Sequence, residues 1–290
     1  MDGRHVVKAD ADAFSAAVVR LTAHPDGTAT DVRFVDLEGT LVAEDPAVAA
    51  AVDGWIARQD EGFCQERLGA EPGCLDAALS NAGTTLIGSE LEIRRFETNL
   101  GNWVADRMLE AWADQGVQVA FINAGALRIN RDLAAGSALT RREVEELLPY
   151  PSATQRVRLD RPTLEAVLER SVRDWTGKGH WLQVAGVAFR HEPSTQSVRD
   201  ITLLGPDGPR PLGEDESVEA VTVTYLTTAA TGQDGYTMLG AETIVGEPGA
   251  EVKALVVAGL EAAGATGIHP QVEGRVCNAV RGGPCLVVTP

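Results

Sequence analysis

Lysine is nearly missing from this chain of 290 residues. Lys8, Lys178 and Lys253 are the only three, so arginine supplies most of the positive charge. With 42 acidic against 25 basic residues the formal net charge is −17, which argues against a nucleic-acid partner because such binding needs a clustered positive face. Histidine is also scarce. His5, His24, His180, His191 and His269 are the five, and none stands at the spacing of a metal-ligand motif. There is no G-x-S-x-G elbow, no Walker loop and no dinucleotide fingerprint. Gly177-Lys178-Gly179 lacks the rest of a phosphate loop. No apolar run is long enough for a membrane span, the stretch 254–263 being too short and interrupted. The first residues carry no signal-peptide pattern, and internal repeats and low-complexity runs are lacking.

What remains suffices for a large core, since 44% of the residues are hydrophobic, enough for one large domain or two smaller ones. Four cysteines fall into two local pairs, Cys64 with Cys74 and Cys277 with Cys285, each flanking a Gly/Pro-containing loop. Neither has CxxC spacing. Short disulfide-closed loops have this look in exported proteins, so disulfides Cys64–Cys74 and Cys277–Cys285 are expected. Buried free thiols are the alternative, and four cysteines allow three connectivities. The disulfide reading places the mature protein outside the cytoplasm, in the periplasm, extracellular space or cell surface, with its export signal outside this sequence.

Periodicity divides the chain at about residue 84. Residues 5–42 alternate in short apolar runs around Pro25-Asp26-Gly27, the pattern of antiparallel strands. Asp45-Pro46 opens a helix to about Asp60, with Val48, Val52, Trp55 and Ile56 on one face. A Gly/Cys/Pro-rich insertion follows, so residues 1–83 are too thin for an independent core. From Thr84 to residue 290 the pattern is that of a compact α/β (α+β) domain, a mixed sheet with flanking helices. Strands are expected at 84–93, 117–122, 155–159, 182–191, 201–204 and 217–226. Helices are expected at 101–115, 141–148, 162–175 and 251–263, and Thr140 with Glu143 forms a capping box ahead of the second.

Groups able to hold a phosphate, a sugar and a flat base lie in the turns of this domain. Asn123 and Arg128 follow a buried strand within a Gly/Ala turn, where open α/β sheets collect ligands. Arg94, just before a helix, is placed to share an anion with Arg128; surface pairing with Glu92 or Glu97 is the alternative. Asn99 and Asn102 suit helix capping equally well. Tyr150, after Pro149, is either an exposed stacking face or a core aromatic, and Asp234 between glycines is a turn residue by default. His180 has no visible nucleophile to serve.

Order and spacing give these signals their weight. The series Glu97-Thr98-Asn99-Leu100-Gly101-Asn102, Asn123-Ala124-Gly125-Ala126-Leu127-Arg128, Leu148-Pro149-Tyr150, Leu182-Gln183-Val184-Ala185-Gly186 and Asp234-Gly235-Tyr236 resembles the C-terminal domain of the 5′-nucleotidase family over roughly residues 84–276. That family includes periplasmic UDP-sugar hydrolases and ecto-5′-nucleotidases. The resemblance implies a nucleotide-binding domain of an exported phosphohydrolase that converts nucleoside 5′-monophosphates or nucleotide sugars to nucleoside and phosphate. It implies substrate contacts by Arg94, Asn99, Asn123, Arg128, Tyr150 and Asp234: phosphate on the two arginines, substrate on Asn123, base on Tyr150 and ribose hydroxyls on Asp234.

Two departures stand out. The family clamps the base between two aromatics, and Thr228 occupies the second position, with Tyr225 nearby but out of register. Stacking contributes about 1–3 kcal/mol per base, so a weaker or altered base preference follows. The family's divalent metal pair belongs to an N-terminal metallophosphoesterase domain whose Asp-x-His, Gly-Asn-His and Gly-His-x-His motifs this sequence lacks. No catalytic residue and no cofactor is therefore expected in this segment. Residues 1–83, including Lys8-Ala9-Asp10-Ala11-Asp12, resemble the last strands of that domain plus its linker helix. A free-standing nucleotide-binding module, or a 2′,3′-cyclic-nucleotide phosphodiesterase or sulfur-oxidation hydrolase on the same scaffold, is the competing expectation.

Overall fold

The computed structural model describes residues 6–9, 15–37, 43–175, 177–228 and 233–288. Asp10, Ala11 and Asp12 of the 8–12 motif, and Gly232, lie outside the described residues. The chain divides into two compact units, Met1–Pro72 and Gly73–Pro290.

In the smaller unit, β1 (Ser15–His24) and β2 (Gly27–Asp36) form an antiparallel hairpin in register from Ser15↔Asp36 to His24↔Gly27. The turn falls at Pro25-Asp26, as the sequence suggests. α1 (Pro46–Gly62) starts where Asp45 accepts the amides of Ala47 and Val48, with Pro46 in the first turn. Val48, Val52, Trp55 and Ile56 remain exposed, and α1 buries no residue. Cys64 is the one buried hydrophobic residue described in this unit, so its described residues form no core of their own.

The larger unit holds two four-stranded sheets and a small strand pair. The first sheet has the order β6-β11-β4-β7, from β6 (Thr154–Asp160), β11 (Ser217–Val223), β4 (Val119–Asn123) and β7 (Leu182–Ala185). β11 runs parallel to β4, while β6 and β7 run antiparallel to their neighbours. The second sheet has the order β10-β9-β8-β12, from β8 (Val187–Glu192), β9 (Ser197–Gly205), β10 (Gly208–Pro211) and β12 (Val276–Asn278). The pair joins β3 (Ala78–Asn81) to β5 (Ala138–Thr140). Helices α2 (Glu90–Ile93), α3 (Asn99–Ala111), α4 (Arg141–Leu147), α5 (Arg161–Val172), α6 (Thr224–Thr227) and α7 (Val252–Ala263) complete the mixed α/β fold. Trp181, Tyr236, Phe121 and Phe189 are the bulkiest fully buried side chains. At about 25 cal/mol per Å² of apolar surface removed from water, each such residue contributes about 2–3 kcal/mol.

Three expected elements come out differently, each for a visible reason. Residues 84–93 are not a strand. Leu86 makes one isolated bridge to Leu133, and the next amides are taken by side chains. Asn99 Oδ1 accepts Ile87 N at 2.9 Å, Asp132 Oδ1 accepts Gly88 and Ser89 N, and Asn130 Oδ1 accepts Glu90 N. With its donors spent on side chains the segment has no ladder to join, and it ends in the single turn of α2. The strand expected at 182–191 is two, broken at Gly186, whose φ of +72° admits no side chain without strain. A Cβ there would also lie 1.9 Å from the Gln118 carbonyl oxygen, so glycine lets the chain pass from the first sheet to the second. The strand expected at 217–226 stops at Val223 and turns into α6. The capping box of α4 is formed, with Glu143 accepting Thr140 N at 3.0 Å.

Cys277 and Cys285 are bonded at 2.06 Å. Cys64 and Cys74 are also disulfide-bonded, and no cysteine is a free thiol.

Candidate functional site

The parallel pair β4 and β11 end side by side, and their antiparallel neighbours β6 and β7 begin at the same edge. Four connections therefore meet there: Asn123 to Arg128 after β4, Tyr225 after β11, Tyr150 to Ser152 before β6, and Gly179 before β7. Ligands collect at such an edge because turn backbone and side chains converge beyond the strand ends. A cleft of about 630 Å³ opens at this place, lined by Arg94, Asn123, Arg128, Tyr150, Tyr225 and Asp234 together with Gly125, Ala126, Pro151, Ser152 and Gly179.

Its floor depends on close backbone packing. Ala124 N donates to the Trp181 carbonyl at 2.6 Å and Gly125 N to that of Gly179 at 2.8 Å. A Cβ on Gly125 would meet Gly179 Cα at 3.0 Å. Two glycines facing each other are what lets the turn after β4 lie against the start of β7.

Asn123, 3% exposed, donates through Nδ2 to Asp234 Oδ2 at 3.1 Å. Its buried Oδ1 has no partner among the described residues, an arrangement that costs roughly 1–3 kcal/mol unless a ligand donor fills it. Asp234 sits at φ +56° and ψ +14°, in the left-handed region. Its Oδ1 lies 3.5 Å from the Tyr225 hydroxyl. Burial, the Asp234 charge and that contact push the Tyr225 phenol above its ordinary value, so it is a neutral donor at pH 7. Tyr150 and Tyr225, 56% and 41% exposed, offer uncovered ring surface.

The two arginines supply the positive charge. Arg94 follows α2 and pairs with Glu90 at 2.6 Å, while its buried Nε is without a partner among the described residues. Burial lowers its pKa most, Glu90 opposes that, and the nearby Arg128 charge lowers it further. Arg128 is held by its Nε, which donates to the Gly125 carbonyl at 2.6 Å, and its guanidinium lies 5.5 Å from the Tyr150 ring centroid. Two guanidinium groups brought close enough to repel one another favour an anion between them.

Five of the six substrate-contact residues expected from the sequence meet in this cleft: Arg94, Asn123, Arg128, Tyr150 and Asp234. Asn99 does not line it. Besides accepting Ile87 N, its Oδ1 accepts Leu100 N at 2.9 Å, and its Nδ2 donates to Thr85 and Pro270 carbonyls. It ties loops to α3. Tyr225, out of register by sequence, does line the cleft. Its place follows from the pairing: β11 ends at Val223 and runs parallel to the Asn123 strand β4, so a residue two positions further emerges at the same edge. Thr228, at the expected clamp position, instead donates its hydroxyl to the Thr224 carbonyl at 2.7 Å.

His180 is buried, with Nε2 at 2.7 Å from the Arg173 carbonyl, and does not line the cleft. Among the described residues no group of three or more His, Cys, Asp or Glu side chains is placed to hold a metal ion. The described residues thus offer no donor set for the metal pair implied by the resemblance. No described helix is long and apolar enough to cross a membrane.

Comparison with known proteins bears on the family and the fold. The family model described as 5′-nucleotidase, C-terminal domain, matches residues 78–241. Human 5′-nucleotidase is 26% identical over 258 residues, covering 83% of this chain and 42% of the human protein. In fold the chain is similar to a 5′-nucleotidase precursor from Thermus thermophilus, with a TM-score of 0.73 at 22% identity over 91% of this chain and 50% of that one. It is also similar to the sulfate thiohydrolase SoxB from Thermus thermophilus, with a TM-score of 0.60 at 18% identity over 96% of this chain and 47% of that one. The chain spans about half or less of the length of these relatives. With its family model covering more than half of its residues, the chain belongs to the 5′-nucleotidase family, as a C-terminal domain of that family.

Proposed function

We propose that this chain holds the substrate of an exported 5′-nucleotidase-like phosphohydrolase, a nucleoside 5′-monophosphate or a nucleotide sugar. The observation that carries this reading is the convergence, in one cleft at one sheet edge, of two arginines, a buried Asn123 oxygen without a partner among the described residues, the Asp234 carboxylate and two exposed tyrosines. Arg94 and Arg128 suit the phosphate, with the fork geometry that favours oxyanions. Asp234 suits sugar hydroxyls, and Tyr150 and Tyr225 a base. Bond cleavage belongs to an N-terminal metallophosphoesterase domain with a divalent metal pair, and residues 1–83 continue from that domain. Oxidised cysteines support a location outside the cytoplasm.

Calorimetric titration of the purified chain tests this. A nucleoside 5′-monophosphate or UDP-glucose should bind more tightly than the matching nucleoside and than inorganic phosphate, with no phosphate released in Mn²⁺ or Zn²⁺. Equal or undetectable binding of all these compounds overturns the reading of the cleft. Metal-dependent phosphate release overturns the division of labour, and preference for a 2′,3′-cyclic nucleotide moves the chain to a cyclic phosphodiesterase.

A further inference from the structure

We infer that Arg170, on α5 outside the cleft lining, is a positioning residue that holds the Asp234 carboxylate in its binding orientation. This rests on the reading of Asp234 given above.

The turn that carries Asp234 is unfavourable by itself. Asp234 has φ +56° and Gly235 φ +82°, two successive residues in the left-handed region. The first is not glycine, and such conformers persist only where surrounding contacts enforce them. The cleft-side contact, Asn123 Nδ2 to Asp234 Oδ2, restrains the side chain and leaves the main chain free. The main chain is held from behind. Arg170 Nε donates to the Asp234 carbonyl at 2.8 Å, and a Cβ on Gly235 would lie 2.5 Å from that same Nε. The guanidinium therefore lies directly over the Gly235 Cα, in the space a side chain would need. On the next residue, the buried Tyr236 hydroxyl donates to the His180 carbonyl. Arg170 and Tyr236 thus pin the turn on either side of Gly235, and Arg170 holds the main chain of the residue that faces the ligand.

With Arg170 gone, Asp234 is free to return to the right-handed or extended region. Its carboxylate then swings away from Asn123 and from the sugar. Arg94 and Arg128, carried by other elements, keep their hold on an anion. The defect is therefore selective for ligand hydroxyls.

The test is calorimetry on the full chain with adenosine 5′-monophosphate, its 2′,3′-dideoxy analogue and inorganic phosphate. In the natural chain the ribonucleotide should bind more tightly than the dideoxy analogue. Arg170→Ala should weaken ribonucleotide binding by about tenfold and leave the dideoxy analogue and phosphate within twofold. Arg170→Lys, which keeps one donor, should recover part of the loss. Equal weakening of all three ligands, or none, overturns the inference, the former being a merely structural defect. Should Arg170→Ala fail to fold, Arg170→Gln is compared with Arg170→Lys by the same ratio, and identical ratios overturn it too. A natural chain without preference for the ribonucleotide removes the Asp234 reading itself and the inference with it, whereas a preserved preference in Arg170→Ala removes the inference alone.

Discussion

Arg128 concentrates the energetics of the cleft, and replacing it with alanine separates two contributions. The guanidinium is positioned by the 2.6 Å bond from its Nε to the Gly125 carbonyl, which leaves the terminal nitrogens for an anion. A charge-assisted contact of that kind contributes about 1.5–3 kcal/mol. The same group lies 5.5 Å from the Tyr150 ring centroid. Because Tyr150 is 56% exposed, water screens that attraction to about 0.5–1 kcal/mol. The anion contact therefore dominates, and the combined loss of about 2–4 kcal/mol predicts nucleotide binding roughly 30- to 900-fold weaker. Calorimetry of Arg128→Ala with a nucleoside monophosphate and with the nucleoside resolves the two, since the nucleoside should lose only the smaller part. A double-mutant cycle with Tyr150→Ala should return a coupling of about 0.5–1 kcal/mol. Stability should change by about 1 kcal/mol or less, since Arg128 is exposed with one backbone partner. Nucleotide affinity within threefold of the natural chain, or equal losses for nucleotide and nucleoside, refutes the reasoning.

Two further outcomes follow from groups away from the cleft. His191, fully buried, accepts from Asn278 at Nδ1 and lies against the rings of Trp175 and Trp181. Burial, only partly opposed by Glu192, lowers its pKa from 6.5 to about 4. The unfolded chain thus binds the proton first, so stability should fall as pH drops from 6.5 towards 4, by up to roughly 3 kcal/mol from this group. Urea melts between pH 7 and 4.5 should show that slope flattened in His191→Phe, and an identical slope in the variant counts against the assignment. Glu97, 5% exposed, accepts Asn102 Nδ2 and Glu273 N at 2.7 Å, Gly274 N at 3.1 Å and Val276 N at 3.0 Å. Glu97→Gln turns one acceptor into a donor facing donors and should cost about 2–4 kcal/mol of stability; a denaturation midpoint unchanged within error would contradict it.

The sequence by itself determined the fold class and most element positions of the larger unit, because periodicity, proline, glycine and capping residues act over a few neighbours. The capping box at Thr140 and Glu143, the hairpin at Pro25-Asp26 and the oxidised cysteines are all of that local kind. Through the resemblance that motif order carries, it also grouped Arg94, Asn123, Arg128, Tyr150 and Asp234, which line one cleft in the fold. The tertiary structure decided what spacing cannot carry. The motif from Glu97 to Asn102 reads as ligand-binding, yet it is a joint. Glu97 gathers the 273–276 turn, Asn99 ties loops, and a Cβ on Gly101 would lie 2.3 Å from Gln183 Oε1. Gln183 in turn bonds the Ile93 and Phe96 carbonyls, which is why these two stretches occur together. The tertiary structure also brought Tyr225 to the cleft and Arg170 behind Asp234. Both depend on which strands lie parallel and which helix packs behind the turn, and those relations are set by contacts between residues far apart in the chain.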